Sequence, residues 1–106
     1  MKEYRVKHYH RKVLGLTFEE VPAKEDYTEY TISASTAKKA AVIAHGLYNG
    51  YSLKEMDPDP EAPYRTIREQ LEDTVKASPV GKNTEEKSVF DYDNIAGHVI
   101  TVEAIR

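Results

Sequence analysis

Ala37, Ala40, Ala41, Ala44, Leu47 and Tyr48 recur at i, i+3, i+4, i+7, i+10 and i+11, the spacing of one face of an α-helix. Four of the stripe positions are alanine, so this helix can approach a flat apolar surface closely. The stripe therefore predicts a helix lying on a sheet. Ser35 or Thr36 precedes it, and either hydroxyl can cap the first turn by accepting from an otherwise unpaired N–H. Asn49-Gly50 supplies a left-handed stop after the last turn. Gly46 weakens that turn, and Val42 falls off the stripe, where an exposed position is expected.

The sheet is foreshadowed by period-two alternation. Tyr4, Val6 and His8 alternate with Arg5, Lys7 and Tyr9, Leu14, Leu16 and Phe18 form a second run, and Tyr30, Ile32 and Ala34 a third. Gly15 marks a bulge or a close backbone approach, and Pro22 to Asp26 reads as a polar connection. The prolines of Asp57-Pro58-Asp59-Pro60-Glu61-Ala62-Pro63 forbid a helix through that segment. A second helix is expected from Pro60 or Pro63 to about Lys76, with Tyr64, Ile67, Leu71 and Val75 as its narrow stripe. Arg65–Glu69, Arg68–Glu72 and Glu72–Lys76 would pair on its exposed face. Ala77 to Glu86 reads as a flexible loop, Val89 to Tyr92 as a strand, Asp93-Asn94 as a turn and Val99 to Ile105 as the last strand. The expected fold is a single α+β domain over residues 1–106. It has a small antiparallel sheet of about four to five strands, two helices on one face, and the order β-β-β-α-α-β-β.

At 106 residues and 40% hydrophobic, such a domain can form a core without staples. The chain has no cysteine, which excludes disulfides, thiol nucleophiles and thiolate metal sites. The charged N-terminus has no apolar core of a signal peptide, and no stretch has the length of a membrane span. A cytoplasmic protein without membrane partners is the expectation.

Charge is unevenly placed. Lys2, Arg5, Lys7, Arg11 and Lys12 against Glu3 give residues 1–12 a net +4, leaving −7 on the rest of a chain whose total is −3. One reading is a small RNA- or DNA-binding module in which these cations hold phosphates and Tyr9 stacks on a base. The plainer reading is an edge strand guarded by Lys and Arg.

Motifs for chemistry are sparse. His8 and His10 share a strand face and could share a metal, with a third ligand from His45, His98 or a carboxylate that no spacing specifies, which would make a metal-dependent enzyme the third reading. The carboxylates Asp57, Asp59 and Glu61 lack the glycine and terminal glutamate of a calcium loop. There is no Gly-x-Ser-x-Gly elbow and no phosphate loop. The expectation is a non-enzymatic chain that uses no cofactor.

Protein binding fits better. Eight tyrosines against two phenylalanines and no tryptophan favour an amphipathic contact surface. Tyr51, Glu55, Asp57, Asp59 and Glu61 cluster in a stiff, acidic segment suited to a basic partner, such as a nucleic-acid-handling protein. The run Tyr30-Thr31-Ile32-Ser33-Ala34-Ser35-Thr36-Ala37-Lys38-Lys39-Ala40-Ala41 resembles the strand-into-alanine-rich-helix module of small phage and mobile-element accessory proteins. Some of these bind and inhibit host defence factors, including CRISPR nucleases. That resemblance implies a protein–protein inhibitor or regulator of the anti-CRISPR kind, and assigns no functional residue.

Overall fold

In the computed structural model, which describes residues 1–10, 27–56, 67–78, 83–84, 86–95 and 97–105, the alternation of the first strand is realised. β1 (Lys2–Tyr9) turns Tyr4, Val6 and His8 into the core and Arg5 and Lys7 to the opposite face. β2 (Tyr27–Ala34) pairs with it antiparallel along its whole length, from Lys2↔Ala34 to Tyr9↔Tyr27. The expected strand around Leu14 to Phe18 and the connection from Pro22 to Asp26 lie outside the described residues.

α1 (Ala37–Tyr48) begins where its cap predicts. Thr36 has an extended backbone, and its Oγ1 accepts from the Lys39 N–H at 3.1 Å. The helix ends at Asn49, followed by Gly50 at φ +91°. The Tyr51 N–H donates to the Gly46 carbonyl and the Gly50 N–H to the Leu47 carbonyl, both at 3.0 Å, which is the paired stop of a Schellman motif.

Two short helices follow, α2 (Leu53–Met56) and α3 (Ile67–Glu72). α3 ends at Glu72, before the expected Lys76, and residues 60–66 lie outside the described ones. Its end has a local cause: both the N–H and the Oγ1 of Thr74 donate to the Leu71 carbonyl. Val75 and Lys76 then leave the helix for β3 (Val75–Ala77), where Val75 faces Tyr92 across the ladder. The β-branched Val75 gains a buried sheet position there. The expected Glu72–Lys76 helix pair is thereby replaced.

β4 (Lys87–Tyr92) and β5 (Val99–Ala104) close a five-stranded antiparallel sheet of order β2-β1-β5-β4-β3. Asp93 and Asn94, at φ +56° and +57°, make the tight turn after β4, closed by the Ile95 N–H on the Tyr92 carbonyl. The fold class is α+β, as expected, but the described order is β-β-α-α-α-β-β-β. β1 is an interior strand between β2 and β5, so the idea of a guarded edge is wrong for it. The stretch expected as a loop from Ala77 starts instead with the end of β3, and the Ser78 hydroxyl donates to the Asp91 carboxylate at 2.9 Å, both residues buried.

α1 lies across all five strands and packs against α2 and α3 as well, with α3 also reaching β3. Being covered twice, it is buried continuously from Ala40 to Gly46. Val42, off the stripe and expected at the surface, is fully buried because the second layer covers the flank that a sheet alone would leave open. The core joins Tyr4, Val6, Ile32, Phe90, Ile100 and Val102 to the alanine face and to Met56 and Val75. A smaller cluster of Tyr9, Val89 and Val99, with Tyr27 packed against it, sits on the other side of the sheet. Among the described residues no helix is long and apolar enough to cross a membrane.

Candidate functional site

The C-terminal end of α1 gathers the chain's unusual side chains. Two local devices fix its shape. The Schellman stop holds Asn49 to Tyr51, and the Asn49 side-chain amide donates to the His45 carbonyl at 2.8 Å. Directly after it, Ser52 and Glu55 form a capping box: the Ser52 N–H donates to the Glu55 carboxylate at 3.2 Å, and the Glu55 N–H donates to the Ser52 hydroxyl at 3.1 Å. The connection from Tyr48 to Leu53 is thus tied at both ends. Met56 anchors it from inside, packed against Gly46.

On this tied connection apolar groups face outward. Tyr48 is 39% exposed, Tyr51 37% and Leu53 54%. Ile95, 46% exposed, stands on the neighbouring turn, whose Asp93 carboxylate lies 3.5 Å from His45 Nε2. Among the described residues the only other exposed large apolar side chain is Met1. Apolar exposure is therefore concentrated at one end of the molecule, where it carries meaning that scattered single residues do not.

The four histidines of the chain meet two tyrosines here, with His8 and His45 buried, His98 half-buried and His10 exposed. His8 Nε2 and His45 Nδ1 are 2.9 Å apart, both residues buried. His8 lies flat under the Tyr48 ring, centroids 3.8 Å apart, and against Tyr92 at 4.4 Å. His10 stacks on Tyr48 at 5.6 Å, and its Nε2 contacts the Thr28 hydroxyl at 2.6 Å. His98 meets the edge of Tyr92, whose hydroxyl donates to the Tyr9 carbonyl at 2.6 Å. Burial pushes the His8 imidazole down to about 3, assisted by the neighbouring His45 and His10. Burial also lowers His45, while the Asp93 carboxylate pulls it the other way. Burial raises the Tyr92 phenol to about 12, with Tyr48 and Asp93 adding to the effect.

His8 and His10 do share a face, since both stack on Tyr48, but each ring nitrogen facing a partner is already engaged. Among the described residues no group of three or more His, Asp or Glu side chains could hold a metal.

The other sequence candidates are dispersed. Tyr51 and Glu55 belong to the tied connection, while Asp57, Asp59 and Glu61 lie outside the described residues, as do Arg11 and Lys12. Lys2 is exposed at the start of β1. Arg5 lies 3.9 Å from the Glu29 carboxylate and stands opposite Glu103 in the ladder. Lys7 stands opposite Glu29, with its Nζ over the Tyr27 ring at 5.0 Å. The basic strand face is thus interleaved with carboxylates, a poor field for a polyanion. Tyr9 is buried beside Val89 and Val99, so its ring is not offered to a base. Tyr4 and Tyr92 are buried as well, and the tyrosine excess serves the core as much as the surface.

Sequence reasoning missed the capping box and, although it named His45, His98 or a carboxylate as possible companions of His8 and His10, could not place them together. The box was readable as Ser-x-x-Glu at 52–55; the cluster had no local signal, because His8 and His45 are 37 residues apart. No protein-family profile, curated protein or solved structure matches the chain.

Proposed function

We propose that the chain is a non-enzymatic protein-binding module that docks a partner through the C-terminal end of α1. The observation that carries this reading is the exposure of Tyr48, Tyr51 and Leu53 on a connection held by a Schellman stop and a capping box. A pre-shaped apolar surface loses little conformational entropy when a partner covers it, and aromatic anchors of this kind dominate binding energy. The partner class follows from charge. Glu55, Asp57, Asp59 and Glu61 follow Leu53 closely, and Asp93 is exposed beside His45. A basic surface, such as that of a nucleic-acid-handling protein, would complement them. The resemblance of residues 30–41 to mobile-element accessory proteins supports an inhibitory or regulatory role of the anti-CRISPR kind.

The test is affinity capture from a bacterial lysate, with nuclease-treated and untreated halves compared by mass spectrometry. It uses the wild type, a Tyr51→Ser, Leu53→Ser variant, and an Asp57→Lys, Asp59→Lys, Glu61→Lys variant. Support is a protein that survives nuclease treatment and is lost from both variants. The apolar pair should weaken binding at least tenfold, since each anchor contributes about 1.5–3 kcal/mol when fully buried. A retained protein indifferent to both variants would place the interface elsewhere. Retention that vanishes with nuclease treatment would favour nucleic acid.

A further inference from the structure

We infer that the docking end of α1 is gated by acid, held closed by the neutral His8–His45 pair and released when that pair takes up a proton. This regulation rests on the proposed docking role of Tyr48, Tyr51 and Leu53 for its purpose, although the gate itself belongs to the free chain.

The argument begins with one proton. His8 Nε2 and His45 Nδ1 are 2.9 Å apart, so one of them donates and the other accepts. His45 Nε2 faces the Asp93 carboxylate at 3.5 Å, which favours the hydrogen on Nε2 and makes Nδ1 the acceptor. His8 then donates from Nε2 and keeps a bare lone pair at Nδ1. That atom is buried and has no hydrogen-bond partner.

A second proton has no good place to go. On His8 it sits at Nδ1, as a buried N–H without an acceptor. On His45 it occupies Nδ1, and His8 must then accept at Nε2 and carry its own hydrogen at Nδ1. Both routes end in the same unsatisfied donor, inside a site where both imidazoles are 2% exposed or less. The remaining route breaks the contact and lets water reach the pair. His45 is in the last turns of α1, and Tyr48 lies flat on His8 at 3.8 Å, so opening moves the residue proposed to meet a partner.

Every neighbouring element contributes a titratable or polar group. β1 and its end supply His8, His10 and the peptide groups of His8 and Tyr9; the latter favour the cation without reaching hydrogen-bond geometry. α1 supplies His45, Tyr48 and Asn49, β4 supplies Tyr92, and the turn after it supplies Asp93 and His98. β2 supplies Thr28, and Tyr30, which is coupled to Tyr48. Of these only Asp93 is a carboxylate, and it faces His45 from the exposed side. Its charge favours a protonated His45 in the closed pair too, and what opposes that state is the unsatisfied N–H it forces on His8.

The experiment follows amide exchange by NMR in the free full-length chain between pH 7 and pH 5, after correction for intrinsic chemistry. The N–H groups of Asn49 and Tyr51, bonded to His45 and Gly46, report the end of α1. With His8 at 6.5 when exposed and about 3 when closed, the opening constant should rise about 25-fold across that range. The His8 imidazole should keep its neutral carbon shifts at pH 5 in the closed state. His8→Phe, which keeps a stacked ring, should cut the rise to less than about threefold, and His8→Gln should do the same if the first variant fails to fold. His10→Asn should leave it intact. A flat opening constant in the wild type, or an undiminished rise in whichever His8 variant folds, overturns the inference. A captured partner that binds equally at pH 7 and pH 5 while the free chain stays closed defeats the gate and leaves the docking reading standing. Acid opening in a chain that captures nothing sinks the docking reading alone.

Discussion

Gly46→Ala changes sign with its neighbour, and that reversal tests how α1 is held. In isolation the substitution should help: alanine in a helix interior is about 1 kcal/mol more favourable than glycine. In the fold, a Cβ at Gly46 would land on the Met56 sulfur, with the Met56 methyl and Leu71 Cδ1 each 3.1 Å away. Met56 is fully buried and has little room to move aside, so overpacking should cost about 1–3 kcal/mol. The net expectation is a loss of up to about 2 kcal/mol. Met56→Ala alone leaves a cavity and should cost about 2–5 kcal/mol. In that background the sulfur is gone, and only the tip of Leu71, a movable side chain, remains close. Gly46→Ala should then stabilise by up to about 1 kcal/mol, a coupling of about 1–3 kcal/mol. Urea unfolding followed by circular dichroism measures all four corners, and an unchanged m-value secures the comparison. If Gly46→Ala has the same effect in both backgrounds within about 0.5 kcal/mol, α2 does not sit on α1 as described.

Thr36→Ala removes the hydroxyl that accepts from Lys39 and should cost about 1 kcal/mol in the same unfolding assay. Tyr92→Phe deletes the donor to the Tyr9 carbonyl and should cost about 1–2 kcal/mol at neutral pH. Tyr92 also fixes an alkaline limit. Its phenol ionises near 10 when unfolded and near 12 when folded, so its contribution is complete below pH 10 and falls away as pH rises to 12. The difference is about 2–3 kcal/mol, and Tyr92→Phe should flatten that part of the stability profile. Charge reversal of Arg5 to Glu should leave partner capture unchanged, because Arg5 sits among Glu29 and Glu103 on the far face of the sheet from α1.

How much of this was legible depends on the range over which each feature is decided. β1, β2, β4 and β5, both caps of α1 and the Asp93-Asn94 turn were readable because each is settled within a few residues. Hydroxyls cap, Asn-Gly stops a helix, and alternation declares a sheet face. Val42 was misread because its burial depends on α2 and α3, whose packing no window around residue 42 contains. Val75 was misread because a helical stripe and a strand position both accept a valine. Thr74 decided between them by closing the helix on Leu71.

Gly46 and His8 show the same limit at the functional end. By local rules a glycine in a helix is a weakness and a histidine in a strand is half-exposed. In the fold, Gly46 is the slot for Met56, and His8 is fully buried with one nitrogen unpartnered. A chain usually avoids such positions unless something offsets their cost, and places where local preference and tertiary structure disagree tend to be places of function. Here the disagreements converge on one end of α1. That end has the only concentration of exposed apolar side chains among the described residues, a connection fixed by two capping motifs, and an imidazole pair whose burial disfavours the cation. The second cap starts α2 and holds Tyr51 and Leu53 at the surface, where the proposed partner would meet them.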